Sequence, residues 1–411
     1  MIPQSEIPMK VLVLNSGSSS IKYQLFIVDD WQVLASGSIS RIGEKQSDLV
    51  GSWVNASGES ESCRLSLAIA THETGLERIV DRLRESGVLA DIAELAVVGH
   101  RVVHGGEAFH RPTLVDDRVI DVIRDMIPLA PLHNPANLAG IEVARGLFPG
   151  TPQVAVFDTA FHQTMQPVAY RYALPEYLYS DHKVRRYGFH GTSYGYVCKR
   201  AAALLDKPLD ACNLVALHLG NGASAAAVRG GQCVDTSMGL TPLEGLVMGS
   251  RCGDIDPAIH FYLADNLGLS NAELEELFNR KSGLTGLCGV NDMREIHRRA
   301  ARGNKRAELA IDVFCHRLKK YLGAYYAELG RLDAVVFTGG IGENDSEVRA
   351  RTCAGLEPLG IRLDAHANVS RASTERVISA ADSRVKLLVI PTDEELEIAR
   401  EALQAVVSPS D

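Results

Sequence analysis

Twice along this chain an apolar run stops in a cluster of small polar residues and then starts again. "VLVLNSGSSSIK" does so from Val11, and "LVALHLGNGASAAAV" does so from Leu214. Apolar and β-branched residues on both sides of a short Gly/Ser break predict strand, turn, strand. The two stretches share little identity but the same arrangement, which predicts an internal duplication. At 411 residues the chain exceeds what one hydrophobic core usually organises, so two domains follow from length as well.

Between these turns, sheet and helix signals alternate. Strands are expected at Lys10–Leu14, Ile21–Val28, Ala93–Gly99, Gln153–Phe157, Asn213–Leu219, Ala334–Phe337 and Val385–Ile390. Helices are expected near Leu65–Leu89, Asp121–Met126, Asn137–Leu147, Ala272–Lys281, Lys305–Leu329 and in "PTDEELEIAREAL". Arg41–Glu61 reads as a surface excursion, the prolines of "PLAPLHNP" interrupt helix, and residues 160–191 read as irregular. Such alternation predicts an α/β protein in two halves, with ligands meeting the loops beyond strand ends.

Composition excludes several functions. A formal net charge of −9 argues against broad binding to nucleic acid or acidic membranes, and suits an anionic substrate held by a few arginines. Eight dispersed cysteines without a CxxC pair give neither a disulfide scaffold nor a zinc site. Glu6 and prolines precede the first apolar run, unlike a secretory signal, and no run reaches the roughly 18 apolar residues of a membrane span. A cytoplasmic location is expected.

The polar breaks carry the chemistry. Glycine lets several backbone N–H groups approach a phosphate, and "NSGSSSIK" adds hydroxyls and Lys22. "LGNGAS" and "TGGIGEN" repeat the pattern, although none has Walker spacing, and each alone also reads as a hairpin turn. Arg101 and Arg251 suit a carboxylate or phosphate ligand, or a surface salt bridge. His190 in "FHGTS" is equally readable as catalytic or structural. Asp158 and Glu394 each follow an apolar strand and offer hard oxygen donors suited to Mg²⁺, while Glu394 also reads as a helix-start charge. No Gly-x-Ser-x-Gly elbow supports a serine hydrolase.

Taken together, "LVLNSGSSSIKY", "GHRVVHGGE", "PLAPLHNPAN", "VAVFDTAFH", "RRYGFHGTS", "HLGNGAS", "DTSMGLTPLEGLVMGSRCGDIDP", "FTGGIGEN" and "PTDEE" resemble the acetate kinase family, the acetokinases of the sugar-kinase/actin-like superfamily. The resemblance spans nearly the whole chain, from Val11 to Glu395. It implies a duplicated actin-like (ribonuclease H-like) α/β fold with a central cleft. One lobe would cover 10–160, joined by the helix at 394–411, and a nucleotide-binding lobe would cover 161–393. It also implies a homodimer and Mg²⁺, with Mn²⁺ able to substitute. The reaction would be reversible phosphoryl transfer between ATP and acetate, giving acetyl phosphate and ADP.

Residue by residue, the resemblance implies Asp158, His190 and Arg251 as catalytic, His190 and Arg251 stabilising the transition state. Arg101 would bind substrate, with Val103, Leu132, Phe189 and Pro242 around the acetate methyl. Lys22, His218, Gly220, Asn221, Gly222, Asp292, Arg294, Gly339, Gly340, Ile341, Gly342, Glu343 and Asn344 would attend the nucleotide and its phosphates. Asn15 and Glu394 would serve the metal, and His133 would support the site. Valine at position 103 favours acetate over longer acids, with propionate the main alternative. A sugar kinase and a non-catalytic nucleotide-binding protein of actin-like fold are the other readings. Ser250 and Cys252 depart from the family's usual Thr and Ser around Arg251, and "LCGVNDMRE" is shorter than its usual adenosine segment.

Overall fold

The computed structural model describes residues 9–55, 57–131, 133–370 and 373–408. The chain divides into two compact units, one running to Ala160 and resuming at Asp393, the other Phe161–Thr392.

The first unit is built on an eight-stranded sheet. Its strands are β1 (Lys10–Gly17), β2 (Ser20–Ile27), β3 (Val33–Ser40), β4 (Ser47–Val54), β5 (Ser60–Leu67), β6 (Leu95–Val102), β7 (Thr113–Leu114) and β8 (Gln153–Phe157). They lie in the order β5-β4-β3-β2-β1-β6-β8-β7. The second unit has β9 (Asn213–Leu219), β10 (Ala223–Arg229), β11 (Gln232–Thr236), β12 (Ala334–Thr338), β13 (Arg376–Val377) and β14 (Lys386–Val389), ordered β11-β10-β9-β12-β14-β13.

The duplication is visible in these orders. In each unit three consecutive antiparallel strands, β3-β2-β1 or β11-β10-β9, continue into two parallel ones, β6-β8 or β12-β14. This is the duplicated actin-like, ribonuclease H-like fold. Because β1, β6 and β8 are parallel, their carboxyl ends share one edge, and those of β9, β12 and β14 share the corresponding edge in the second unit.

Side-chain alternation gives β1 two buried faces. Leu12 and Leu14 join Ile21, Leu76, Ile79 and Phe148 under the helices His72–Glu85 and Asn134–Leu147. Val11 and Val13 point to the opposite face, where they meet Ile398 and Ala402 of the helix Glu394–Val407. Gly99 permits this close approach, since an added Cβ would lie 2.9 Å from Ile398 Cγ2 and 3.2 Å from Ala402 Cβ. Asp393 caps the helix, accepting from the Leu396 N–H at 3.0 Å, and so sets where Glu394 stands.

Several sequence expectations need correction. Leu65–Leu89 is not one helix: β5 ends at Leu67, and Thr71 caps a helix that starts only at His72. Arg41–Glu61 is not an excursion, because it contains β4, whose Ser- and Gly-rich sequence concealed the buried Leu49. The first strand continues past Leu14 to Gly17, and Ser18-Ser19 close a tight hairpin to Ser20. Pro135 sits in the first turn of Asn134–Leu147, where its missing N–H costs nothing. "GGIGEN" forms a helical turn, Gly339–Asn344, and the stretch 160–191 includes the short helices Pro167–Tyr170 and Glu176–Ser180. Among the described residues no helix is long and apolar enough to cross a membrane.

Candidate active site

The strand-end edge of the first unit gathers a charged cluster. Arg101 lies near the end of β6, and Asp158 follows β8, its N–H bonded to the Val102 carbonyl at 2.9 Å. Arg101 donates to both Asp158 oxygens, from Nε at 3.3 Å and from Nη2 at 2.7 Å. Glu394 Oε2 lies 3.6 Å from the same guanidinium Nε. Burial opposes charge on Arg101, but Asp158 and then Glu394 outweigh it and hold the guanidinium more firmly protonated than usual.

Asn15 and Lys22 face each other across the β1–β2 ladder. Burial pushes the Glu395 carboxyl up, Glu394 adds to the shift, and Lys22 opposes it. Asn137 ties the edge together, accepting from the Val103 N–H at 3.1 Å and donating to the Ser16 carbonyl at 2.7 Å. Val103 is buried, and Leu132 lies outside the described residues. His133 stands just before the helix Asn134–Leu147.

In the second unit the corresponding edge is a glycine loop, Gly220–Gly222, between β9 and β10. A Cβ placed on Gly222 would lie 3.5 Å from Arg251 Nη1 and 3.7 Å from His190 Nε2. Two nitrogen groups remote in sequence therefore converge over a backbone bare of side chain. His190 is left-handed (φ 58°) at the head of the helix Gly191–Leu204. Its ring stacks on His218 at 4.2 Å with an interplanar angle of 19°. Arg251 Nη1 donates to the Pro242 carbonyl at 3.0 Å, and among the described residues it has no carboxylate partner. Burial alone lowers its proton affinity.

Beside this loop a cavity of about 740 Å³ is lined by Gly220, Asn221, Asp292, Arg294, Gly340 and Ile341, with Asn344 at its wall. Asp292 caps the helix Met293–Ala301 and pairs with exposed Arg294 at 2.6 Å. Gly339 is left-handed (φ 74°), and a Cβ there would press on the Leu219 backbone. Gly222, His218, Gly339, Gly342 and Glu343 are not among the residues that line the cavity. Glu343 instead accepts from the Thr392 N–H at 3.3 Å, and burial pushes its carboxyl up. Phe189 is buried, its carbonyl 2.9 Å from His162 Nε2.

With this geometry in place, comparison with known proteins is decisive. The sequence pattern described as the acetokinase family matches residues 10–400. The chain belongs to the acetokinase family. Membership makes it an enzyme that transfers a phosphoryl group to a carboxyl acceptor, in a family whose catalysis depends on Mg-ATP. It is 55% identical over 399 residues to the acetate kinase of Syntrophobacter fumaroxidans, covering 97% of each chain. To the acetate kinase of Streptomyces avermitilis it is also 55% identical, covering 97% of this chain and 98% of that one. Among solved structures, Porphyromonas gingivalis acetate kinase superposes with a TM-score of 0.90 at 44% identity, covering 96% of this chain and 99% of that chain. A propionate kinase from Francisella tularensis superposes with a TM-score of 0.88 at 43% identity, covering 96% and 98%.

Within this acetokinase, sequence reasoning missed several neighbours of the site. Asn291, His297 and Asp345 line the cavity, with His297 Nε2 2.7 Å from Asp345 Oδ2. Asn291 directly precedes Asp292, a proximity that could have flagged it. Ser224 and Tyr194 lie behind His190, and Ser193 and Thr392 behind His218. The serines sit inside the quoted "GNGAS" and "FHGTS", but hydroxyls with no fixed spacing gave no pattern to find. The Cys252 thiol is half-buried and pushed up by burial, which suppresses the thiolate and its reactivity.

Proposed function

We propose that this chain catalyses reversible, direct phosphoryl transfer between ATP and acetate, giving ADP and acetyl phosphate. The observation that supports it most is the convergence of Arg251, free of any carboxylate among the described residues, and His190 on the bare Gly222 backbone. A cation held ready without an internal counter-ion suits an anion that arrives with the substrate.

Acetate is already an anion and needs no strong base to attack. The obstacle is repulsion between it and the terminal phosphate. Arg251 and His190 would offset the charge on the equatorial phosphoryl oxygens, and backbone N–H groups of the Gly220–Gly222 loop would cradle the phosphates. The neighbouring cavity would take the nucleoside, with Asp292, Arg294 and Ile341 around it. Arg101, fixed by Asp158, would orient acetate, and Val103, Phe189 and Pro242 would bound its methyl.

For magnesium, the described residues include no group of three or more His, Cys, Asp or Glu able to cage a metal ion. The available donors, Asn15 and Glu394, are all oxygen, which fits an ion that keeps several waters and is otherwise bound by substrate phosphates. When bound there, Mg²⁺ supplies positive charge to the phosphate oxygens.

One methylene changes apolar binding by only about 1–3 kcal/mol, so propionate is the second substrate to consider. Turnover measured with acetate, propionate and butyrate, each with ATP and with or without Mg²⁺, tests the assignment. Highest kcat/KM for acetate is expected, and absence of acyl phosphate from all three would reject it. The proposed setting is the cytoplasm. The proposed assembly is a homodimer, for which Phe261 and Tyr262, 66% and 64% exposed, offer apolar contact area to a second copy. A monomer in light scattering would reject the dimer.

A further inference from the structure

We propose that Tyr194 and Ser224 act as positioning residues that keep His190 a neutral imidazole with its proton on Nε2. His190 then meets the phosphoryl group as a hydrogen-bond donor and carries no proton between reactants. The catalytic consequence rests on the acid-kinase reading above; the protonation pattern itself rests on the following contacts.

Tyr194 and Ser224 are both completely buried. The Tyr194 oxygen lies 2.5 Å from Ser224 Oγ. Burial pushes the phenol up, so it keeps its hydrogen, and Ser224 is the acceptor within reach. Having accepted from Tyr194, Ser224 turns its own hydrogen to His190 Nδ1, 2.8 Å away. Nδ1 must then present a lone pair, which leaves the ring proton on Nε2. A proton on Nδ1 would reverse the last link and strand the buried Ser224 hydrogen.

The groups that face the ring favour the same state. His218 stacks on it at 4.2 Å, Arg251 approaches the same Gly222 position, and Tyr194 stands behind Ser224. A charged His190 would face the Arg251 cation across that position. His218 is pinned in turn, its Nδ1 2.8 Å from Ser193 Oγ, which lies 2.8 Å from Thr392 Oγ1. The helix Gly191–Leu204 carries both Ser193 and Tyr194, so one element orients the two rings. With Nδ1 engaged, Nε2 is the nitrogen turned to the Gly222 loop.

The test is nitrogen NMR of the full-length protein labelled in histidine, with His190 assigned by its loss in His190→Gln. The expected parent spectrum shows one neutral Nε2–H tautomer at neutral pH. Tyr194→Phe keeps the volume but removes the first donor. It should mix the two tautomers and lower kcat by about tenfold to a hundredfold, with KM for ATP little changed. Ser224→Ala should show the same mixing. An imidazolium or an Nδ1–H tautomer in the parent would overturn the proposal, as would unchanged His190 signals in both variants. Full activity in His190→Gln would instead sink the functional reading and leave the tautomer result standing.

Discussion

Asp158 grips Arg101 with both carboxylate oxygens, at 3.3 and 2.7 Å, and does so with only 1% of its own side chain exposed. Breaking such a pair leaves a desolvated cation behind, a loss that Glu394 at 3.6 Å only partly offsets. Asp158→Asn is expected to lower stability by about 2 kcal/mol, below the usual range for a buried pair because Arg101 keeps some contact with water. Urea unfolding followed in the first unit checks this; an unchanged midpoint would mean the pair is energetically idle.

Arg251 should behave in the opposite way. It is half-buried without a carboxylate partner among the described residues, so its charge costs stability in the free protein. Arg251→Ala is expected to lower kcat by about 10²- to 10³-fold while leaving the melting temperature equal or slightly higher. A clear fall in melting temperature would show that the arginine serves the fold.

Gly222→Ala separates space from stability. The new methyl would meet Arg251 and His190 at 3.5 and 3.7 Å, ordinary contact distances, so the fold should tolerate it. Under the proposed function, the same methyl would intrude where phosphate oxygens approach the loop. We expect a fall in kcat/KM of about a hundredfold with unchanged thermal stability. Parental kinetics would exclude the loop from the phosphate site.

The two units should respond oppositely to mild acid. Burial pushes His100 and His104 in the first unit down to about 4 from 6.5. Between those values the unfolded chain binds more protons, so stability present above pH 6.5 is lost as pH falls toward 4, by about 3 kcal/mol for each histidine. In the second unit the hydrogen bond to Asp345 raises His297 above 6.5. Its contribution is complete below 6.5 and is lost as pH rises through the raised value. Hydrogen exchange resolved by unit, between pH 5 and 8, should show the first unit loosening on acidification, and His297→Gln should flatten the alkaline response of the second.

Much of this was legible in the sequence wherever one residue type had one physical reason to be present. The glycines of "LGNGAS" and "TGGIGEN" marked backbone approaches, and the long amphipathic run Lys305–Leu329 is one helix with those bounds. The failures have a shared cause. The pairing that makes Ser47–Val54 a strand comes from its neighbours β3 and β5, and its own Ser/Gly-rich sequence does not announce it. Likewise, Ser224 gains a role only because Tyr194 and His190, thirty-odd residues upstream, flank it in space. Hydroxyls that act through other side chains leave no spacing signature.

The packing of Ile398 and Ala402 onto Gly99 has a consequence for biosynthesis. A nascent chain meets the eight-stranded sheet first, yet one face of that sheet waits uncovered until residues beyond Asp393 emerge. The intervening Phe161–Thr392 is contiguous and can complete its own sheet earlier. The half begun first is therefore finished last, and until then Val11, Val13 and Val97 are a greasy surface for chaperones to shield.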